Sequence, residues 1–537
     1  MPEPTLPGTE TGLPQTIPGV VERAAAEFAT LEALVDERER LTFAQLADGA
    51  TETARALIAS GIEAGDRVAI WAPNTTEWVL AALGTYAAGA VVVPLNTRFK
   101  GAEAAYILER ARAKLLFTVT DFLDTDYVDL LRSAEPVVSL EQIVVLRGSP
   151  SEGTCSWPEF VARAEGASPA AVDERRGALT GDSLSDILFT SGTTGRPKGA
   201  MLTHGASVQA YDAWSTVVGL RPGDRYLVVN PFFHSFGLKA GILASLIKGA
   251  TIVPHAVFNV DTVMQRVADE SISMLPGPPT VYQSILDHPR LADFDLSSLR
   301  LAVTGAAAVP VEMIRRMRDE LKFETVVTGY GLTEATGIAT MCRHDDDPET
   351  ISKTAGRAIP GTEVHVVDEA GNPLPAGDPG EVVVRGYNVM KGFVDDPEGT
   401  AEAIDAGGWL HTGDVGVLDE RGNLRITDRM KDMFIIGGFN AYPAEIENTL
   451  SDHPAISQVA IVGVPDERMG EVGYAFVVVR PGQQIDPGEL TKWCRERMAN
   501  FKVPRHVEVI DALPLNASGK VLKYELRERA AAVTSQR

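Results

Sequence analysis

Short apolar runs alternate with helix-spaced apolar patterns from about residue 20 to residue 430 of the chain. Val68-Ala-Ile-Trp71, Val91 to Pro94, Leu115 to Val119, Ile143 to Leu146, Tyr226 to Asn230 and Leu301 to Thr304 each have the length of a buried strand. That alternation predicts an α/β fold with largely parallel sheets. Glu381 to Arg385, with the glycine-rich turns near Gly407 and Gly422, predicts a small antiparallel β subdomain instead. Further on, strands near Gln458 to Val464, Ala475 to Val479 and Val507 to Ile510 between helical patterns predict a smaller α+β domain of about 100 residues. Residues Trp78 to Thr97 carry no charge, yet Gly84, Gly89, Pro94 and the run Val91-Val92-Val93 divide them into helix, turn and strand of a soluble core.

A chain of 537 residues exceeds what one hydrophobic core sustains, so two or more domains are expected. The dense charge of Thr427-Asp-Arg-Met-Lys-Asp432 marks a boundary, and the charge balance changes there. Residues 1 to 431 hold 37 Lys and Arg against 59 Asp and Glu, whereas residues 432 to 537 hold 12 against 14. The expected division is a flexible leader over 1–20, a core over 21–430 and a smaller C-terminal domain over 431–537. The leader has Glu3, Glu10 and several prolines but no apolar signal-peptide run. A formal charge of -24 excludes nucleic acid and anionic membrane surfaces as general partners. Cys155, Cys342 and Cys494 are too few and too scattered for a disulfide framework, which points to a reducing cytoplasm.

Chemistry concentrates in Phe189-Thr-Ser-Gly-Thr-Thr-Gly-Arg-Pro-Lys-Gly199. Glycines let backbone N–H groups approach an anion, and Thr190, Ser191, Thr193, Thr194 and Lys198 add donors and charge around Gly192. A Walker loop is excluded, because Lys198 follows a proline and Gly199 stands where a magnesium-binding hydroxyl belongs. Thr328-Gly-Tyr-Gly-Leu-Thr-Glu-Ala335 reads as a Gly329-Tyr330-Gly331 turn that puts an aromatic ring on exposed backbone before Thr333 and Glu334. Gly305-Ala306-Ala307 follows an apolar strand, at the carboxyl edge where α/β sheets take ligands. Asp414 closes the glycine turn of Trp409-Leu-His-Thr-Gly-Asp414, and Arg429 follows fifteen residues later. On composition alone, the ordinary readings of these segments are a polar loop, a turn with a packed tyrosine, a tight strand exit and a local cap.

Taken together and in order, these segments resemble the signatures of the adenylate-forming superfamily, which includes acyl-CoA synthetases, firefly-type luciferases and peptide-synthetase adenylation domains. The resemblance spans roughly residues 20 to 530. It implies a phosphate loop from Thr190 to Lys198, an adenine site from Gly305, Ala306, Ala307 and Tyr330, and Thr333 on the α-phosphate. Glu334 is then the Mg2+ ligand, Asp414 with Arg429 the ribose and phosphate clamp, and Lys431 the hinge of a mobile lid. Lys520, after a Ser-Gly turn, matches the adenylation lysine, and Gly437-Gly438 matches the lining of a pantetheine tunnel. In Pro231-Phe-Phe-His-Ser-Phe-Gly237, His234 matches the border of the acyl pocket, and no aspartate for an amino-acid ammonium occurs between Val229 and Ala240.

The implied activity is ATP-dependent ligation of a carboxylic acid to coenzyme A through an acyl adenylate. The stretch Lys431 to Glu447 is similar to fatty-acyl and carboxylic-acid CoA ligases of lipid and sterol breakdown, which implies a fatty acid or a steroid-derived propanoate as the acid. Arg495, Arg497 and Lys502, in the less acidic C-terminal fifth, are candidates to meet the phosphoadenosine of CoA. One rival is a ligase that hands its acyl group to a carrier protein. A noncatalytic nucleotide-binding regulator, the other rival, is expected to lack Lys520 or Glu334, and both are present. No integral membrane association is expected, and a homodimer is left open.

Overall fold

The computed structural model describes residues 12–190, 197–305, 309–429, 432, 434–436, 439–441, 443–466, 469–498, 500, 502–515 and 521–534. The chain forms two compact units, Met1–Val364 with Val384–Leu410, and His365–Val383 with His411–Arg537.

In the first unit the apolar runs become a seven-stranded sheet in the order Cys155–Ser156, Gln142–Arg147, Ala113–Val119, Arg67–Trp71, Val91–Pro94, Leu184–Thr190 and Lys198–Thr203. Every neighbouring pair is parallel except the last, which is antiparallel. Helices cover the strands because a parallel sheet must bury both faces. The charge-free segment resolves into the buried helix Thr76–Ala87 and the strand Val91–Pro94, with Thr75 capping the N–H of Trp78. Trp71 stacks on Tyr127 at 4.5 Å beside this sheet.

A second sheet orders Arg225–Val228, Thr251–Pro254, Glu32–Val35 and Arg40–Thr42. A third orders Leu301–Thr304, Thr325–Tyr330, Thr340–Met341 and Arg357–Ala358. Met274 bridges Tyr226 and Leu301 in parallel, so the two run on as one surface. The expected strand Tyr226 to Asn230 ends early, at Val228, and the chain then leads into the wide-turned π-helix Phe236–Leu243.

In the second unit, Leu424–Arg429 pairs antiparallel with Leu410–Leu418, so Thr427 to Arg429 of the charged stretch are strand residues. Further on, Ile456–Asp466 and Gly470–Val479 form a long hairpin, with His506–Val509 parallel to its second arm. Alternate residues of the hairpin feed opposite apolar clusters: Ile461 packs with Phe434 and Leu450, and Val462 packs with Leu526 and Ala530. The unit is therefore α+β, as the pattern predicts. Among the described residues of the whole chain, no helix is long and apolar enough to cross a membrane.

The N-terminal helix Ile17–Glu27 is fastened by a buried imidazole. His204, 0% exposed, opens the helix His204–Val218 and accepts the Ile17 N–H at Nδ1 over 3.3 Å. Its Nε2 has no partner. Burial pulls its pKa from 6.5 to about 4, against the opposing pull of Asp186. The unfolded chain therefore takes up this proton before the folded one does. The stabilising term is complete above pH 6.5, is lost as pH falls toward 4, and is flat below that. Over that window it amounts to about 3 kcal/mol. Thermal unfolding followed from pH 7 to pH 4 should show a shallower loss of Tm in His204→Asn than in the parent; parallel curves would assign the acid sensitivity to other groups.

Candidate active site

The antiparallel edge of the seven-stranded sheet carries the hydroxyl- and glycine-rich segment. Thr190 and Lys198 face each other across Leu184–Thr190 and Lys198–Thr203. Ser191, Gly192, Thr193 and Thr194 lie outside the described residues. Thr190 Oγ1 donates to Glu334 Oε1 at 3.0 Å, so two segments 144 residues apart in sequence meet. Glu334 sits in the 3-10 turn Thr333–Ala335, where both it and Thr333 are half-buried.

Gly329 and Tyr330 depart from the expected turn. They finish the strand Thr325–Tyr330, opposite Met341 and Thr340. The physical reason is a change of partner: the parallel neighbour Leu301–Thr304 stops opposite Thr328, and Thr340–Met341 takes over the open edge. Gly305 follows Leu301–Thr304 beside Gly329, whose carbonyl oxygen lies 3.6 Å from where a Cβ would stand. Ala306 and Ala307 lie outside the described residues. Gly331 has no room for a side chain, since a Cβ would come within 2.3 Å of the Gly337 oxygen.

Four residues that the motifs do not reveal, Met390, Thr336, Asn388 and Asp396, hold this arrangement. Met390 N–H donates to the Glu334 carbonyl at 2.8 Å. Thr336, buried in the left-handed region at φ 56°, donates through Oγ1 to the Asn388 carbonyl at 2.6 Å, and Asn388 Nδ2 donates to the Ile338 oxygen at 2.8 Å. Asp396 pairs with Lys198 at 2.9 Å and caps Pro397–Ala403 by accepting the Gly399 N–H. The Lys198 hydrogen bond is the main reason the Asp396 carboxyl lies below its ordinary range. Lys198 also stands 5.2 Å from the Phe393 ring centroid. Backbone bonds of Lys391 to Met201, Met201 to Gly392 and Val394 to Gly199, each 2.9 Å, lay this segment along Lys198–Thr203. The only sequence signal for them is the glycine and asparagine punctuation around residues 386–392.

The donor set near Glu334 suits Mg2+, which takes one or two protein carboxylates and leaves its other positions to phosphate oxygens and water. Among the described residues, no cluster of three or more His, Cys, Asp and Glu forms an all-protein cage. The aromatic segment divides by role. Phe232 is core, packed on Trp78 at 5.2 Å, whereas His234 is exposed and accepts the Phe236 N–H at Nδ1 over 3.1 Å.

In the second unit, Asp414 lies inside Leu410–Leu418 and not at a turn, and it is 4% exposed. The fifteen-residue spacing is hairpin register, with Asp414 opposite Arg429. Gly413 takes φ 67°, and Glu381 fixes it by accepting its N–H at 3.1 Å while bonding His411 Nδ1 at 2.8 Å. The side chain of Arg429, and Lys431, Gly437, Gly438 and Lys520, lie outside the described residues.

Comparison with known proteins identifies the family. Residues 21–394 match the model of the AMP-binding enzyme family, and residues 445–520 match the AMP-binding enzyme C-terminal domain. The 3-[(3aS,4S,7aS)-7a-methyl-1,5-dioxo-octahydro-1H-inden-4-yl]propanoyl:CoA ligase of Rhodococcus jostii is 51% identical over 522 residues, covering 96% of this chain and 99% of the relative. The ligase of the same description from Mycobacterium tuberculosis is 50% identical over 515 residues, with the same coverage. Among solved structures, the anthranilate CoA ligase AuaEII in complex with anthranoyl-AMP superposes with a TM-score of 0.85 at 27% identity, over 97% of this chain and 98% of that one. The chain belongs to the AMP-binding enzyme family and is an acyl-CoA synthetase, an ATP-dependent acid:CoA ligase that works through an acyl adenylate.

Proposed function

We propose that this acyl-CoA synthetase activates the propanoate side chain of a bicyclic indanedione of steroid origin. The observation that carries the reading is half-identity, over nearly full length, to two ligases described by that substrate. The absence of an aspartate from Val229 to Ala240 agrees with an acid that has no ammonium group.

A carboxylate is a poor electrophile, so its carbon needs a leaving group. In the proposed mechanism a carboxylate oxygen attacks the α-phosphorus of ATP, a P–O bond forms, the bond to the β-phosphate breaks and pyrophosphate leaves. The CoA sulfur then attacks the acyl carbon, the bond to AMP breaks and the thiol proton passes to solvent. Tyr330, with Gly305, Ala306, Ala307, Gly329 and Gly331 around it, takes the adenine, while Asp414 and Arg429 take the ribose. Thr190, Ser191, Gly192, Thr193, Thr194 and Lys198 surround the outer phosphates. Thr333 binds the α-phosphate, and Lys520 meets the negative charge that grows there. Glu334, fixed by Thr190, is the proposed ligand for Mg2+, which when bound neutralises triphosphate charge. His234 borders the acid, Lys431 is the hinge of a lid over 431–537, and Gly437 and Gly438 line the path of the pantetheine. A cytoplasmic location and the possibility of a homodimer belong to the same reading.

AMP release screened with fatty, aromatic and steroid-derived acids should be greatest for the bicyclic propanoate and should require CoA; equal release without CoA would mean that water, and not CoA, takes the acyl group. Lys520→Ala should lower acid-dependent exchange of pyrophosphate into ATP by about 10² to 10³, since it removes one preorganised charge. The same variant should still convert supplied acyl adenylate to acyl-CoA, and equal loss of both steps would remove Lys520 from its assigned role. Glu334→Gln should raise the Mg2+ concentration needed for half-maximal exchange, and an unchanged requirement would place the ion elsewhere.

A further inference from the structure

The helix Phe236–Leu243 conceals a charge that adenylation does not use. Lys239 is 1% exposed, and its ammonium meets the carboxylate of Asp186, 0% exposed, on the strand Leu184–Thr190. The same carboxylate accepts the hydroxyls of Tyr86 and Ser185. Lys239 also stands 5.9 Å from the Tyr86 ring centroid, and His204 meets that ring edge-on at 5.7 Å. Desolvating two ions costs about as much as their attraction returns, so a well-packed apolar pair of similar shape is often as stable. Net stability is therefore a weak account of this pair, and geometry is a stronger one.

The geometry is that of a closed loop of contacts. Lys239 lies in a π-helix, and its carbonyl accepts the Ala244 N–H five residues on. Such wide turns are rare and frequent at functional sites. The opening of this helix is tightly seated. A Cβ on Gly237 would come within 2.1 Å of the Pro231 oxygen, and a Cβ on Gly337 would come within 2.1 Å of Ser235 Oγ. Ser235 Oγ also reaches the Thr336 oxygen at 3.5 Å. Ser235, immediately before the helix, is thus packed on Gly337, three residues beyond Glu334. Glu334 in turn is bonded to Thr190, four residues beyond Asp186 on the same strand.

We propose that Asp186 and Lys239 are positioning residues: their ion pair locks the π-helix against the strand that leads into the phosphate loop, and so sets where His234 and Phe236 stand relative to Glu334. The proposal rests on the reading of His234 as a neighbour of the acid. It takes the pair to be a determinant of acid affinity and not of nucleotide affinity.

The test compares the parent with Lys239→Met, with D186N/K239M and with Tyr86→Phe, by calorimetry, by acid-dependent exchange of pyrophosphate into ATP, and by amide hydrogen exchange across residues 235–243. Lys239→Met alone leaves a carboxylate buried and should lower Tm, and the double variant should regain most of the loss. The double variant should nevertheless show a KM for the acid raised about tenfold or more, with the KM for ATP within about twofold of the parent. Tyr86→Phe removes one bond to Asp186 without stranding a charge. It should move the acid KM the same way by less, and it decides the matter if the double variant does not fold. A parental acid KM in the variant that folds, or equal rises in both KM values, overturns the proposal. His234→Ala separates the two readings: if it leaves the acid KM unchanged, the placement of the acid fails. Faster amide exchange confined to 235–243 in the double variant would then still support the lock, and unchanged exchange would overturn it.

Discussion

The hydrogen bond from Thr190 to Glu334, 3.0 Å long and 144 residues wide in sequence, is the constraint around which the first unit is arranged. A carboxylate can hold a hard cation only if its own position is settled beforehand, because reorganisation at the moment of reaction costs rate. Thr190 settles the side chain of Glu334, and the Met390 N–H settles its carbonyl. Neither donor lies near Glu334 in the chain, so the site exists only when two sheets and the segment around Asn388 are assembled. That dependence explains the crowding nearby, where Gly331 and Gly337 have no space for a Cβ. Close backbone approach replaces side-chain packing where the chain must come near a ligand.

The segment from Asn388 to Asp396 does the joining. It bonds through Asn388 and Met390 to the turn that holds Glu334, and through Lys391, Gly392 and Val394 to the strand Lys198–Thr203. One short stretch thus sets the spacing of two elements that belong to different sheets. Asp396 completes it by taking the charge of Lys198. Most of these bonds use backbone groups, which accounts for their near silence in the residue pattern.

Much of the architecture was legible because parallel strands buried on both faces read as plain apolar runs, and Val68 to Trp71, Leu115 to Val119 and Leu301 to Thr304 all become strands. Two motif positions at strand ends were legible as well: Thr190 closes Leu184–Thr190, and Gly305 follows Leu301–Thr304. What was not legible depends on partners distant in sequence. Gly329 and Tyr330 look like a turn until Thr340 and Met341 pair with them, and Asp414 looks like a turn cap until Arg429 comes opposite. Asp186 and Lys239 were missed for the same reason. A lone lysine in the apolar run from Phe236 to Ile247 is the one available signal, and it does not say which of many carboxylates is near.

The disposition of charge has a further consequence. The chain is strongly acidic, with a formal charge of -24, yet its substrates are anions. The mean field of the chain opposes ATP, CoA and a carboxylate alike. Cations near the site are also partly spent, Lys198 on Asp396 and Lys239 on Asp186. Binding then draws on short-range terms, hydrogen bonds and contacts to the nucleotide and its metal ion. Such terms act over a few ångströms and demand fixed geometry. An acidic enzyme for acidic substrates consequently relies on rigid scaffolding more than a basic one would. The locked Glu334, the joining segment around Asn388 and the buried pair behind the π-helix are three forms of that same requirement.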